Sequence, residues 1–177
     1  MPRTLRCRAG SDSFPLAQRH LPALELVIED PAILANTRVP EPVPAGFVGT
    51  WLERYEEGRR DGTREAFAIE GDDDTFLGLA LVPRIERPAR TVELGYLLAP
   101  AARGRGVATE ALMQLTEWAF AELGAIRIEL LIATHNEPSK RVAERCGYVR
   151  EGVLRSAHLK QEVRQDTEVW SRLRSDP

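Results

Sequence analysis

The hexapeptide Arg103-Gly104-Arg105-Gly106-Val107-Ala108 constrains the fold most, because it joins a strand-like run, Thr91 to Leu98, to an amphipathic helical run, Val107 to Leu123. Glycines in such a turn let the backbone approach a ligand, since no Cβ blocks the way. The unpaired N–H groups of the helix's first turn lie at the positive end of the helix dipole and bind phosphate well. The two arginines can add forked hydrogen bonds to phosphate oxygens. We therefore expect the turn to hold a pyrophosphate-bearing cofactor.

The bulk composition indicates one globular domain over residues 1–177. A chain of 177 residues with 43% hydrophobic content can build one ordinary core and is short for two. The net charge of -3 disfavours a general nucleic-acid binder. No apolar run reaches membrane-spanning length, and the first ten residues lack the apolar stretch of a signal peptide. We expect a cytoplasmic protein with neither a nucleic-acid nor a membrane partner.

Cysteine and histidine are too scattered to suggest a metal site or a disulfide scaffold. The cysteines are Cys7 and Cys146, and the histidines are His20, His135 and His158. Close spacing would be needed for either feature. We predict no bound metal, and we expect Cys146 to pack as a small buried residue instead of acting as a nucleophile.

The first part of the chain combines helical patterns with a proline-rich stretch. Leu5 to Arg8 is a plausible edge strand, and Phe14 to Ile28 is expected to carry a helix. Asp30 to Pro44 contains four prolines, which predicts an irregular loop. Aromatic residues at helical spacing predict a second helix over Gly46 to Arg60.

Strand patterns follow. Ala66 to Ile69 and Thr75 to Val82 flank a polar turn and predict a hairpin, and a further turn is expected over Pro83 to Pro88. Gly95, inside the next strand, suggests a bulge or the close approach of another backbone.

The second part of the chain predicts a strand–helix–strand unit. The β-rich run Arg127 to Ile132 is expected to lie parallel to Thr91 to Leu98 across the intervening helix. Pro138 suits the first position of a short helix that ends near Gly147. Two further strands are expected, at Tyr148 to Leu154 and Glu162 to Leu173.

Three motifs in this order resemble the GNAT superfamily of N-acetyltransferases. They are Glu93-Leu94-Gly95-Tyr96, Arg103-x-x-Gly106-x-Ala108, and Asn136-x-x-Ser139 with Val142-Ala143-Glu144-Arg145-Cys146-Gly147-Tyr148. Within the superfamily, the sequence most resembles the RimJ/RimL branch. The tail is similar to that branch as well, with Glu151-Gly152-Val153-Leu154-Arg155 followed by Asp166 and by a final strand that ends Trp170-Ser171-Arg172-Leu173. With this tail the resemblance covers roughly Leu94 to Leu173, whereas Leu5 to Val82 fits only by the order of its elements.

The resemblance implies an α/β (α+β) fold and acetyl-coenzyme A as the cofactor. The expected sheet is mixed, largely antiparallel and twisted, is flanked by helices, and has a splayed parallel strand pair that forms the coenzyme A cleft. Backbone groups of Leu97 and Leu98 would bind the pantetheine arm, which Asn136 would also contact. The pyrophosphate would be held by backbone amides of Arg103, Gly104, Arg105, Gly106, Val107, Ala108 and Thr109.

Each of these residues has a simpler alternative role. Arg103 is the better phosphate candidate and Arg105 is expected to act mainly through its N–H, but both could be solvated surface charges. Asn136 could cap the short helix, a role compatible with ligand contact.

The resemblance also suggests candidates for acetyl transfer. Ser139 is our candidate partner for the departing thiolate, and its alternative is a hydrogen bond to the helix backbone. Glu93 is the candidate general base, acting through water, and its alternative is an ion pair. Tyr96 could supply the acid, although strand alternation favours core packing. His135 and His158 are proton acceptors by chemistry but match no motif position.

Three functions remain open on the sequence alone. The first is an acyltransferase that acetylates a primary amine such as a protein N-terminal α-amine. The second is an acetyltransferase of a small-molecule amine, for example an aminoglycoside, a polyamine or an amino acid. The third is a non-catalytic coenzyme A binding module. The acceptor groove is expected along Asp30 to Arg60, and members of this branch often pair, so a homodimer is consistent with the resemblance.

Overall fold

The computed structural model describes residues 5–6 and 11–177, with side chains from Pro15 onward. Among these residues, eight strands form one sheet in the order β1-β2-β3-β4-β5-β6-β8-β7. The strands are β1 Leu5–Arg6, β2 Ser11–Pro15, β3 Glu65–Gly71, β4 Phe76–Glu86, β5 Thr91–Leu98, β6 Arg127–Ala133, β7 Val149–Lys160 and β8 Val163–Leu173. The α-helices are α1 Leu21–Ile28, α2 Pro31–Asn36, α3 Phe47–Asp61, α4 Val107–Glu122 and α5 Glu137–Arg145.

The predicted fold class is confirmed. Only β5 and β6 pair in parallel, and every other strand pairing in the described residues is antiparallel. The helix α4 connects the parallel strands, as the pattern around Thr91 to Leu98 predicts. A 3-10 turn, Pro100–Ala102, lies between β5 and the glycine turn that opens α4.

Helices cover both faces of the sheet. On one face, α4 and α5 pack through buried residues such as Leu112, Leu115 and Ala143. On the other, α1, α2 and α3 pack through Leu24, Ile33 and Leu52. Each fully buried leucine contributes about 2 kcal/mol by removal from water. These two apolar layers hold the strands between them.

The loop predicted over Asp30 to Pro44 was wrong in part. The stretch Asp30 to Pro44 is not all loop, because it contains α2. The Asp30 side chain caps this helix by accepting hydrogen bonds from the N–H groups of Ala32 and Ile33. Pro31 occupies the first helical turn, where its missing N–H has no consequence. The stretch Phe14 to Ile28 carries a helix, as expected: α1 spans Leu21–Ile28, after the end of β2 and a 3-10 turn.

The predicted turn over Pro83 to Pro88 was also wrong in extent, because β4 continues to Glu86. Its register with β5 shifts between Leu81 and Arg84, so that β4 carries an extra residue opposite Leu94. Pro83 lies in this bulge, where it does not have to donate a ladder hydrogen bond. Of the predicted edge strand Leu5 to Arg8, residues 5–6 form β1, and residues 7–8 lie outside the described residues.

The two parallel strands separate halfway along their length. Paired residues run from Thr91 with Arg127 to Leu94 with Leu130, and the parallel pairing ends there. Beyond that point β5 stays paired with β4 as far as Leu98, whereas β6 stays paired with β8 as far as Ala133. The β4 bulge lies beside this separation, and bulges increase local twist. The result is a V-shaped opening in the sheet with an unpaired edge of β5.

Candidate active site

A cavity of about 540 Å³ occupies the opening between β5 and β6. Its walls come from both strands, from α2 on one face of the sheet, and from α5 and the start of α4 on the other. Gly95 lies on the open edge of β5, and a Cβ built there would meet no atom within 4 Å. Of the two alternatives expected for Gly95, no other backbone comes close to this Cβ position, and the bulge lies next to it in β4, where the register shifts after the pair Leu81 and Gly95. The glycine therefore leaves open space at the edge of the cavity.

The glycine turn has the backbone that the phosphate hypothesis requires. Gly104 and Gly106 have φ of 72° and 84°, values that L side chains rarely adopt. The helical bonds of α4 begin with the Glu110 N–H donating to the Gly106 carbonyl. The N–H groups of residues 107–109 thus have no intrahelical acceptor, and Gly106 offers no side-chain cap. The cavity reaches this turn at Gly104 and Ala108, so the three donors and the positive end of the helix dipole lie next to it.

Arg103 is held by protein partners. Its guanidinium donates to the Leu98 carbonyl through Nε (3.2 Å) and Nη2 (3.0 Å), and to Asp30 Oδ1 through Nη2 (2.6 Å). Its backbone N–H donates to the Pro100 carbonyl. Arg105 is exposed. The phosphate role of the Arg103 side chain stays a prediction, and the structure offers its guanidinium a competing carboxylate.

Tyr96 and Ser139 meet across the cavity. The Tyr96 hydroxyl donates to Ser139 Oγ over 3.2 Å. Burial raises the pKa of Tyr96 to about 12, against the opposing effect of the Ser139 hydrogen bond. The phenol is therefore protonated at neutral pH, and it lies beside the residue that the sequence suggested as the thiolate partner.

Asn136 caps α5 and also faces the cavity. Its Oδ1 accepts a hydrogen bond from the Ser139 N–H at 3.2 Å. Asn136, Pro138 and Ser139 all line the cavity. The cap accounts for one amide oxygen and thereby orients the first turn of α5, while the cofactor contact predicted for Asn136 remains a prediction.

Glu93 lies on the face of β5 opposite to that of Tyr96, and its carboxylate is held in ion pairs. The Glu93 residue is only 8% exposed, and its carboxylate contacts Arg84 Nε at 3.5 Å and an Arg38 guanidinium nitrogen at 3.8 Å. Arg84 also bridges to Glu129, the β6 residue paired with Glu93. This is the ion-pair arrangement that we named as the alternative, and the general-base role stays a prediction.

The structure brings together most of the site residues expected from the sequence. Those that line the cavity are Leu97, Leu98, Arg103, Gly104, Ala108, Asn136 and Ser139. Arg105, Gly106, Val107, Thr109 and Glu93 are not in the lining, and Val107 packs in the core.

Asn36 and Thr37, at the end of α2, line the cavity and lie within the range Asp30 to Arg60 where the acceptor groove was expected. The sequence analysis named neither residue and did not predict the helix that positions them. The signal that could have found it is Asp30-Pro31, a capping residue followed by a proline suited to a first helical turn.

The remaining candidate groups lie outside the cavity lining. Cys146 is buried, its Sγ donates to the Thr109 carbonyl, and burial raises its pKa to about 11, as expected for a residue that is no nucleophile. Burial and then nearby Arg38 lower the pKa of His158. Within the described part of the chain, no cluster of three potential metal ligands occurs. The helices of that part are too short or too polar to cross a membrane.

Comparison with known proteins places these features in context. The acetyltransferase (GNAT) domain family model matches residues 14–149. An uncharacterised N-acetyltransferase of Bacillus subtilis (strain 168), YoaA, is 34% identical over 126 residues, covering 71% of this chain and 69% of that protein.

Two solved structures show the same fold. RimL, the ribosomal L7/L12 α-N-protein acetyltransferase, in complex with coenzyme A, has a TM-score of 0.87 at 19% identity and covers 97% of this chain and 98% of its own. Spermidine N-acetyltransferase from Vibrio cholerae, in complex with CoA and spermine, has a TM-score of 0.83 at 22% identity, with 96% and 98% covered. The resemblance noted from the three motifs is thus confirmed.

Proposed function

Because the chain belongs to the acetyltransferase (GNAT) domain family, we propose that it forms one catalytic domain that transfers an acetyl group from acetyl-coenzyme A to a primary amine. The observation that carries this proposal is the open edge of β5, which leads from the glycine turn to the hydrogen-bonded pair Tyr96 and Ser139. A surface that suits acetyl-coenzyme A and a hydroxyl that can donate a proton thereby lie in one cavity.

The residues present fit the cofactor. The unpaired edge of β5 from Gly95 to Leu98 offers backbone groups to an amide-rich arm, in the way a peptide adds to a sheet edge. The N–H groups of residues 107–109 suit a diphosphate. When bound, acetyl-coenzyme A would supply the activated thioester.

The chain's own residues would then donate a proton to the departing sulfur and accept one from the amine. The Tyr96 phenol is neutral at neutral pH even at the ordinary pKa of about 10, and burial raises this pKa to about 12. Its hydroxyl can donate toward the departing sulfur, either directly or through Ser139 Oγ. Glu93 would accept the amine proton through water, provided that its pairs with Arg84 and Arg38 leave one oxygen accessible. A loose ion pair of 3.8 Å to the exposed Arg38 is the weaker of the two restraints.

For the acceptor, we propose a protein N-terminal α-amine. An α-amine has a pKa of about 8 and is partly neutral at cellular pH, whereas a lysine side chain near 10.4 needs more help. The fold likeness to RimL supports this choice. The likeness to spermidine N-acetyltransferase supports a small-molecule amine as the second candidate. A homodimer, a cytoplasmic location and the absence of nucleic-acid and membrane partners stay predictions.

One panel of amines tests the function. Free thiol released from acetyl-coenzyme A would be followed with peptides that begin with Ser, Ala, Met or Asp, with polyamines, and with aminoglycosides and amino acids. We expect turnover with peptides, and turnover restricted to polyamines would move the acceptor to the second candidate. In parallel, acetyl-coenzyme A should raise the melting temperature, and no shift at millimolar cofactor would reject the proposal. Binding without turnover on any amine would indicate a non-catalytic coenzyme A module.

A further inference from the structure

Arg103 connects two walls of the cavity that come from distant parts of the sequence. Its guanidinium reaches the Leu98 carbonyl at the end of β5 and Asp30 at the start of α2, 73 residues away in the chain. We infer that Arg103 is a positioning residue: it fixes α2, which lies in the groove expected for the acceptor amine, to the end of β5, the strand proposed to bind the cofactor. Its side chain therefore serves the part of the cavity next to α2, whereas the phosphate end relies on the backbone amides of the glycine turn.

The Asp30 end of the link controls a short helix. One oxygen, Oδ1, accepts from the N–H groups of Ala32 (3.1 Å) and Ile33 (3.2 Å) and from Arg103 (2.6 Å). A helix of six residues is too short to be stable by itself in water, so α2 depends on its cap and its packing. The hydrogen bond from Arg103 lowers the pKa of Asp30 and keeps the cap charged. A loosened Asp30 would free the first turn of α2 and shift Asn36, which lines the cavity.

The Leu98 end fixes the other wall. Two of the guanidinium nitrogens converge on one carbonyl at the last residue of β5, where the strand has no partner on the β6 side. Arginine suits this task because its planar fork can hold two acceptors at fixed angles, which a lysine ammonium cannot do. With Leu98 and Asp30 both engaged, the turn before α4, the end of β5 and the start of α2 form one unit.

Two conservative substitutions separate this role from phosphate binding. Arg103→Lys keeps the charge but loses the fork, and Asp30→Asn keeps a capping side chain but loses the charge. Each should raise the amine KM about threefold and leave the acetyl-coenzyme A dissociation constant unchanged, since half-exposed ion pairs are modest. The double variant should be no worse than the worse single variant, as for two residues that act through one contact. Arg105→Ala is the comparator, because it removes an exposed cation and keeps the backbone N–H through which Arg105 is expected to act, and we expect it to leave the amine KM unchanged.

A second measurement does not depend on catalysis. Hydrogen exchange of the backbone amides of residues 32–36, measured on the protein alone, should become about two- to fivefold faster in Arg103→Lys and Asp30→Asn and stay unchanged in Arg105→Ala. The kinetic readout rests on the proposed function, whereas the exchange readout does not. If the wild-type protein binds no acetyl-coenzyme A, the proposed function fails and exchange still decides the positioning role. Unchanged exchange in both variants, or weaker acetyl-coenzyme A binding in Arg103→Lys with wild-type exchange, would overturn the inference.

Discussion

The Tyr96 hydroxyl donates to Ser139 Oγ over 3.2 Å and so joins the open end of β5 to the first turn of α5. The contact spans 43 residues of sequence and lies within the cavity. Tyr96, the candidate acid, and Ser139, the candidate partner of the thiolate, are therefore hydrogen-bonded to each other and can act in one proton transfer. Removing either hydroxyl should therefore affect the same step.

Tyr96→Phe and Ser139→Ala should each lower turnover by roughly a hundredfold, the usual contribution of a positioned general acid. The acetyl-coenzyme A dissociation constant should change little, because each substitution removes one hydroxyl and leaves the strand edge and the glycine turn intact. Turnover is measured by thiol release and binding by calorimetry. Unchanged turnover in Ser139→Ala would remove Ser139 from the mechanism.

Tyr148→Phe is the matched control for these variants. The Tyr148 hydroxyl shares a 2.7 Å hydrogen bond with Thr116 in the core under α4, outside the cavity lining. Its loss should lower the free energy of unfolding by about 1 kcal/mol and leave turnover as in the wild type. A general loss of packing would instead lower turnover in all three variants.

Glu93→Gln should flatten the rise of rate at alkaline pH if the carboxylate accepts the amine proton. The shape of the pH–rate profile is the measurement, since lost ion pairing alone would lower stability without changing that shape. Glu86→Gln is the control, because Glu86 also pairs with Arg84 but lies at the end of β4. An unaltered profile in Glu93→Gln would reject the base role and leave Glu93 as an ion-pair partner.

Gly78→Ala should distort the unpaired edge of β5, because Gly78 lies on the neighbouring strand β4 and is paired with Leu98. Gly78 has φ of 153°, and an added Cβ would lie 2.2 Å from the Leu97 carbonyl oxygen and 2.9 Å from the Leu98 Cα. Since the neighbouring backbone must move, we expect a loss of about 1–3 kcal/mol in stability together with weaker acetyl-coenzyme A binding. Gly152→Ala on β7, where a Cβ meets no atom within 4 Å, should change neither quantity. Wild-type binding by a folded Gly78→Ala variant would disprove the coupling.

Glu151 should make the fold sensitive to acid. Hydrogen bonds from Arg127, and then from Ser171, lower the pKa of Glu151 from 4.5 to about 2. A carboxylate with a depressed pKa in the folded state contributes stability above its unfolded pKa and loses that contribution as pH falls. The free energy of unfolding should therefore decline below pH 4.5 toward pH 2, measured with urea down to the lowest pH at which the protein is folded. Glu151→Gln should decline less over this window.

Glu57→Gln, at an exposed position of α3, serves as the control and should follow the wild-type curve. Parallel curves for the wild type and Glu151→Gln would contradict the assignment of this acid sensitivity.

Local patterns explain which parts of the fold could be predicted. The bounds of β5 were predicted to the residue, because alternation and a following glycine turn are short-range signals. The extension of β4 was missed because Pro83 normally ends a strand, and only pairing with β5 reveals that it lies in a bulge. The helix α2 was missed because the later prolines of the stretch outweighed the cap at Asp30.

In the site as well, short-range patterns could be read from the sequence, whereas contacts made only in the tertiary fold could not. Alternation placed the Tyr96 ring correctly against the core, but its hydroxyl lies several bonds beyond the ring, and only the tertiary fold brings it to Ser139. Likewise, the sequence marks Arg103 as a cation near a phosphate turn, while the acidic partner comes from a helix it did not predict.

The separated strands also bear on solubility. An unpaired strand edge is a template on which other chains can add strands and aggregate. Here the unpaired stretch of β5 lines a cavity whose walls also come from α2 and α5, so helices flank the edge on which another strand would have to add. A thin, flexible ligand chain can still enter. We expect this arrangement to leave the strand edge open to the extended arm of the proposed cofactor while limiting strand addition by other chains.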